Sequence, residues 1–201
     1  MSDSETLAVY ARKAAQYAHA TRNAADDPGL DTFLSALPKG GRVLDLGCGP
    51  GIAAARMADD GYRVTAFDAC PEMVALASAH PGVTARQAGF DDIVETETYD
   101  GIWANFSLLH ARRADLPRHL AAIHAALRAS GLFHIGMKTG TGSSRDSLGR
   151  LYTYVTESQL RGLLHDAGFA PISSCHGRDP GLDGTLADWI TVLARKAAPR
   201  P

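Results

Sequence analysis

The sequence predicts an α/β protein: a mostly parallel seven-stranded sheet with helices on both faces and an antiparallel hairpin at the C-terminal end. Three observations carry this. Five short apolar runs alternate with helical stretches between residues 43 and 138, the pattern of a parallel sheet sandwiched by helices. The first run, Val43-Leu44-Asp45-Leu46, breaks into Gly47-Cys48-Gly49-Pro50-Gly51 and then opens a helix. The last two runs, 171–176 and 189–196, flank a connection rich in Gly, Asp and Pro and read as a hairpin with a long loop.

Composition narrows the class. The chain has 201 residues, which suits one domain, and its 45% apolar content is enough for a substantial core. Residues 1–38 read as an N-terminal helical cap and 39–201 as the core. Net charge is −2 and basic residues cluster only in pairs such as Arg112-Arg113, so nucleic-acid binding is not expected. No apolar run is long enough to span a membrane. The N-terminus is acidic, which argues against a secretory signal. Cys48, Cys70 and Cys175 are odd in number and far apart, as expected of reduced thiols in the cytoplasm. The histidines show no paired spacing, and no metal site is expected.

Residues 5–25 predict a helix, because Leu7, Tyr10, Ala14, Tyr17 and Ala18 form one stripe. That stripe is either core packing or the inner face of a lid over a ligand. A second helix, 31–37, stops at Pro38-Lys39-Gly40-Gly41. The central strand and its glycine loop follow. Glycines permit backbone angles closed to other residues and let a ligand approach the main chain. The helix N-terminus behind them offers free N–H groups. This is not the dinucleotide fingerprint, since Ile52 stands where Gly or Ala belongs, and no Lys follows to make a phosphate loop. Asp45 lies inside the strand. A carboxylate there repels a pyrophosphate and suits a ligand with positive charge.

Strand 62–68 ends in Asp68, placed to accept hydrogen bonds from ribose hydroxyls or to cap the next helix. Pro71 suits that helix's first turn. Met73, Val74 and Ala77 form its apolar face, and Met73 could also touch an adenine edge. The third strand, 83–88, closes at Gly89-Phe90-Asp91-Asp92. The fourth, 99–105, leads into Phe106-Ser107-Leu108-Leu109-His110. Asp115 caps a helix expected to run to Gly131, and 132–138 is the fifth strand. Residues 139–151 read as a long loop, of the kind that is functional or disordered. Thr156 and Gln159 form a capping box for helix 157–167. Residues 197–201 read as a frayed tail.

The glycine stretch closely resembles the first motif of class I S-adenosylmethionine-dependent methyltransferases. With Asp68 and the run 99–110, the resemblance extends over nearly the whole chain. Within the class, 99–110, Lys138-Thr139-Gly140 and Gly149-Arg150 look like small enzymes related to tellurite-resistance methyltransferases. The resemblance implies a Rossmann-like sheet of order 3-2-1-4-5-7-6. It implies S-adenosyl-L-methionine as cofactor and S-adenosyl-L-homocysteine as product. The cofactor residues it implies are Tyr17, Asp45, Gly47, Cys48, Gly49, Gly51, Asp68, Ala69, Met73, Gly89, Phe90, Asn105 and Phe106, with Ala88 beside Gly89. Asn105-Phe106-Ser107-Leu108 departs from the motif of nucleic-acid amino methyltransferases, which favours a small-molecule acceptor.

Methyl transfer is an in-line displacement, so the protein supplies alignment and a dry site. His110 stands at the right edge to act as a base for a protic acceptor; its other reading is packing. Lys138, Arg150, Tyr152 and Tyr154 could orient an acceptor, or be loop residues. Two alternatives remain: a cofactor-binding regulator without catalysis, and a nicotinamide-dependent oxidoreductase, which Ile52 and Asp45 disfavour.

Overall fold

The computed structural model describes residues 3–198. Helix α1 (Ser4–Ala20) is capped by Asp3, whose carboxylate accepts from the Thr6 N–H. It ends earlier than the apolar stripe suggested, because Thr21 turns its own N–H and hydroxyl back onto the Tyr17 carbonyl. Helix α2 (Pro28–Ser35) begins earlier than expected. Asp27 accepts from the Gly29 N–H at 2.7 Å and Pro28 takes the first helical position, so Asp-Pro-Gly starts a helix here.

Then come β1 (Arg42–Leu46), α3 (Ile52–Asp59), β2 (Arg63–Asp68), α4 (Pro71–Ala77), β3 (Val83–Gln87), β4 (Tyr99–Ala104), α5 (Leu116–Ala126) and β5 (Leu127–Lys138). Residues 127–131, expected in the helix, belong to β5. Ser130 takes a left-handed φ of 62° and the β4–β5 register slips there, so the chain leaves the helix through a bulge. The expected loop 139–151 contains β6 (Ser143–Arg145), paired antiparallel with β7 (Leu151–Thr153). Helix α6 (Glu157–Asp166) carries the predicted capping box. The terminal hairpin, β8 (Phe169–Pro180) and β9 (Leu186–Lys196), is longer than predicted. Its loop is 181–185, and Gly177 and Asp188 lie within paired strand. Residues 199–201 of the expected tail lie outside the described residues.

The seven-stranded sheet runs β3-β2-β1-β4-β5-β9-β8, parallel from β3 to β5 and antiparallel at β9. Alternation along the strands divides the core. Leu44, Leu46, Ile102, Phe133 and Ile135 face one side with Leu120, Ile123, Leu160 and Leu164 from α5 and α6. Val43, Trp103 and Leu132 face the other with Phe33, Leu34, Ala54 and Met57 from α2 and α3. The strand order reverses between β1 and β4, so a crevice opens at their carboxyl ends. Asp45, Asp68 and Asn105 arrive there together. No helix among the described residues is long and apolar enough to cross a membrane.

Candidate active site

Three spaces open at this edge, and Tyr17 and Phe106 line all of them. The first, about 670 Å³ with its mouth, runs past Asp68, Ala69, Met73, Ala88, Gly89 and Phe90. The glycine loop clasps Asp68. Gly49 N–H donates to its Oδ2 and Cys70 N–H to its Oδ1, each at 2.8 Å. Each oxygen keeps lone-pair capacity for another donor, such as a ribose hydroxyl. Burial pushes the Asp68 carboxyl up, and the two backbone bonds pull it back only in part.

The second space is lined by Asp45, Gly47, Cys48 and Gly49. Asp45 is 3% exposed and its Oδ2 has no hydrogen-bond partner. Burial, and then the negative charge of Asp68, raise its carboxyl to about 7. A buried and a half-buried carboxylate, neither paired with a cation among the described residues, make this cradle fit a positively charged ligand. The α-amino group and sulfonium of S-adenosylmethionine meet that requirement.

Gly47 and Gly49 have φ of 75° and 53°. A Cβ on Gly47 would stand 2.3 Å from Ser107 Cβ, so Gly47 lets the β4 turn close on β1. Ser107, not singled out from the sequence, seals that contact by donating its hydroxyl to the Leu46 carbonyl at 2.6 Å. A Cβ on Gly49 would stand 3.3 Å from the Tyr17 ring. Gly51 lines none of the three spaces. A Cβ there would meet Ala77 at 2.8 Å, so glycine at this position lets the start of α3 pack on α4. Asn105 reaches the edge with its amide already committed. Its Oδ1 accepts from His134 Nε2–H at 3.1 Å and its Nδ2 donates to Asp27 at 3.2 Å. His134 stacks on Trp103 at 3.6 Å, and burial holds its imidazole down to about 3, so it stays neutral. Phe106 takes a left-handed φ of 54°, backbone strain of the kind found at functional sites.

The third space, about 850 Å³ with its mouth, lies under α1 and is walled by Tyr10, Tyr17, Phe106, Tyr152 and Trp189. Lys138 and Arg150 line it as well, and Lys138 Nζ stands 3.9 Å over the Tyr152 ring. Tyr154, expected beside Tyr152, lines none of the three spaces and packs against Gly140. It falls just after β7, and its ring stays beside that of Tyr152, with centroids 6.2 Å apart, as the two-residue spacing predicts. His110 ends a short 3-10 turn and lines the first and third spaces, bonded to Tyr10 and Leu151. The tip of the β8–β9 hairpin supplies Asp179, Gly181 and Leu182, which sequence reasoning left in a surface loop. The legible signal is Gly177 opposite Trp189. A Cβ there would stand 2.2 Å from the indole, so glycine lets Trp189 lie across the strand.

Cover helix α1 is fastened in place. Arg145 donates to both Asp3 oxygens at 2.9 Å, and the Leu151 N–H donates to Thr6 Oγ1 at 2.8 Å. The inner stripe of α1 therefore faces ligand space.

A switch-point crevice with an acidic, glycine-walled cradle and a second chamber beside it is the arrangement of a class I S-adenosylmethionine-dependent methyltransferase. Residues 17–174 match the Methyltransferase domain family, and the chain belongs to it. A solved structure of Burkholderia thailandensis 1,6-didemethyltoxoflavin-N1-methyltransferase, with 1,6-didemethyltoxoflavin and S-adenosylhomocysteine bound, is similar at TM-score 0.74 and 29% identity. That match covers 95% of this chain and 88% of the other. An S-adenosylmethionine-dependent methyltransferase structure from Methanosarcina mazei shares the fold at TM-score 0.75 and 17% identity, covering 86% of this chain and 99% of that one. A ubiquinone biosynthesis O-methyltransferase of Xanthomonas oryzae is 51% identical over 96 residues, 44% of this chain. Matches to such curated relatives span 18% to 38% of their lengths.

Proposed function

We propose that this chain transfers a methyl group from S-adenosylmethionine to a small-molecule acceptor held in the chamber under α1. The observation that carries the reading is the shared wall: Tyr17 and Phe106 line both the acidic cradle and the aromatic chamber. Bound in the cradle, the cofactor supplies an electrophilic methyl group on a sulfonium. Asp68 would hold its ribose, Asp45 would face its positive end, and Met73 and Phe90 would flank the adenine. The chain's own task is to align the acceptor and keep water out, which the cover of α1 and the hairpin tip serves.

A cofactor-binding regulator would need no second chamber, and a nicotinamide enzyme would not present the two carboxylates Asp45 and Asp68 to a pyrophosphate. The similar proteins point the same way, being named for methylation at an oxygen in ubiquinone biosynthesis and at N1 of 1,6-didemethyltoxoflavin. Residues 1–38 act in this reading as the cap of one catalytic domain, and the free thiols suit a cytoplasmic setting. The test is calorimetry with S-adenosylhomocysteine, joined to a small-molecule acceptor screen by mass spectrometry. Binding and at least one product heavier by a methylene are expected. Cofactor binding without any product favours the regulator.

A further inference from the structure

Tyr10 stands where the chambers meet, lining both the ribose-side cavity and the acceptor chamber. The hydrogen bonds at its hydroxyl have fixed directions. The Leu151 carbonyl can only accept, so His110 Nδ1 carries a proton and donates to it across 2.6 Å. In neutral His110 that leaves Nε2 as a lone pair, and it accepts the Tyr10 O–H at 2.8 Å. Arg150 can only donate, and its Nη1 does so to the Tyr10 oxygen at 3.1 Å. That oxygen keeps one lone pair for a further donor.

The surroundings favour negative charge on whatever supplies that donor. Arg150 is 2% exposed and is paired with Asp146, to which its Nε donates at 2.8 Å. Its Nη2 stands 2.7 Å from the same carboxylate oxygen, at an angle that makes no hydrogen bond. The Lys138 ammonium is held 3.9 Å over the Tyr152 ring with no hydrogen bond to the described residues, and Asp183 is the anion that favours its charge most. At the rim, Asp179 is occupied by the Trp189 indole N–H at 2.7 Å. The rings of Tyr17, Phe106, Tyr152 and Trp189 shape the chamber for a flat guest.

Building on the function proposed above, we propose that the acceptor is a flat aromatic molecule with an acidic O–H or ring N–H, and that Tyr10 and His110 remove that proton as a relay. The acceptor's proton passes to the Tyr10 oxygen as the Tyr10 hydroxyl proton passes to His110 Nε2. The electron pair of the broken O–H or N–H bond stays on the acceptor atom. There it forms the bond to the methyl carbon while the methyl–sulfur pair goes to sulfur. His110 ends the step as imidazolium, still donating from Nδ1 to Leu151, and returns its proton to solvent. Burial, with Arg150 and Lys138 nearby, holds His110 down to about 4. So weak a base matches an aromatic acid better than an aliphatic alcohol.

The test uses the full chain saturated with S-adenosylhomocysteine and titrated with para-nitrophenol or with para-nitroanisole, which lacks the proton. The phenol is expected to bind about tenfold or more tightly, the worth of one hydrogen bond to a polar group in a charged setting. Tyr10→Phe erases that preference, and nitrogen NMR of the wild type shows His110 Nε2 unprotonated at neutral pH. With S-adenosylmethionine, His110→Gln lowers kcat for para-nitrophenol about a hundredfold with little change in KM, Tyr10→Phe lowers kcat as far and also raises KM about tenfold, and kcat of the double variant falls no further. Gln at 110 still accepts the Tyr10 hydroxyl but cannot take its proton, so full activity of His110→Gln overturns the relay. Equal binding of the two probes overturns it too, as does a wild type that binds S-adenosylhomocysteine yet methylates no phenol. Loss of S-adenosylhomocysteine binding itself would instead remove the cofactor reading beneath it.

Discussion

The cofactor half of the site is made from strand ends that are neighbours in the sheet. The proposed acceptor half is made from segments scattered along the chain, joined by contacts such as Tyr10 to His110 and Tyr10 to Arg150, 100 and 140 residues apart. The first half holds a buried and a half-buried carboxylate, and the second holds an arginine and a lysine among aromatic rings. Charge is thus sorted along the site, acidic where a cationic cofactor binds and basic where an acceptor would develop negative charge. A fixed edge with variable covers lets one cofactor serve different acceptors.

The sharpest way to separate the halves is to block one of them. Gly49→Val puts a branched side chain at a left-handed φ, against Tyr17 and beside the bond to Asp68. S-adenosylhomocysteine affinity should fall about a hundredfold by calorimetry, while circular dichroism shows a folded protein. Normal affinity would mean the loop is only structural. Asp68→Ala is next. It removes the ribose acceptor and frees the Gly49 and Cys70 N–H groups, costing about 1.5–3 kcal/mol of binding energy. An unchanged dissociation constant would take Asp68 out of the site.

Asp45 sharpens the comparison through pH. Its folded carboxyl without ligand titrates near 7, above the ordinary 3.8. A cationic ligand favours the ionised form, so binding must expel a proton below that value. Affinity should therefore fall as pH drops below about 7, approaching tenfold per pH unit, and Asp45→Asn should flatten the profile. Stability without ligand runs the other way. The folded state keeps a proton that the unfolded chain releases above 3.8, so this contribution is present at low pH and lost as pH rises to about 7. Thermal melts at alkaline pH should show Asp45→Asn more stable than wild type; equal melting temperatures would place Asp45 in a better-solvated setting.

The smallest effect is expected at the cover. Arg145→Ala removes a partly exposed ion pair with Asp3, worth about 1 kcal/mol or less. Limited proteolysis within α1 should speed up modestly, and S-adenosylhomocysteine should restore protection. Cutting that ignores the ligand would show that α1 does not cover the site.

The contrast also explains what was legible. Asp45 and Asp68 could be read because each sits at a fixed place in an apolar run that ends at the ligand edge. Gly51 is less legible, because a positive φ serves helix packing as readily as ligand approach, and the contact with Ala77 appears only in three dimensions. Tyr10 and Tyr17 share an α1 stripe that reads first as core and only second as cover; the hydrogen bond from Tyr10 to His110 supports the second, and no local pattern encodes that partner. Asp179 was hidden because glycine- and aspartate-rich sequence reads as loop, whereas strand pairing with β9 extends β8 through it.

The most direct measurement of the central claim is a crystal structure with S-adenosylhomocysteine bound. The account predicts ribose hydroxyls on Asp68, the amino end in the Asp45 cradle, and the sulfur at the Tyr17–Phe106 wall, open to the chamber under α1. Ligand bound elsewhere, or a sulfur turned away from that wall, would contradict it.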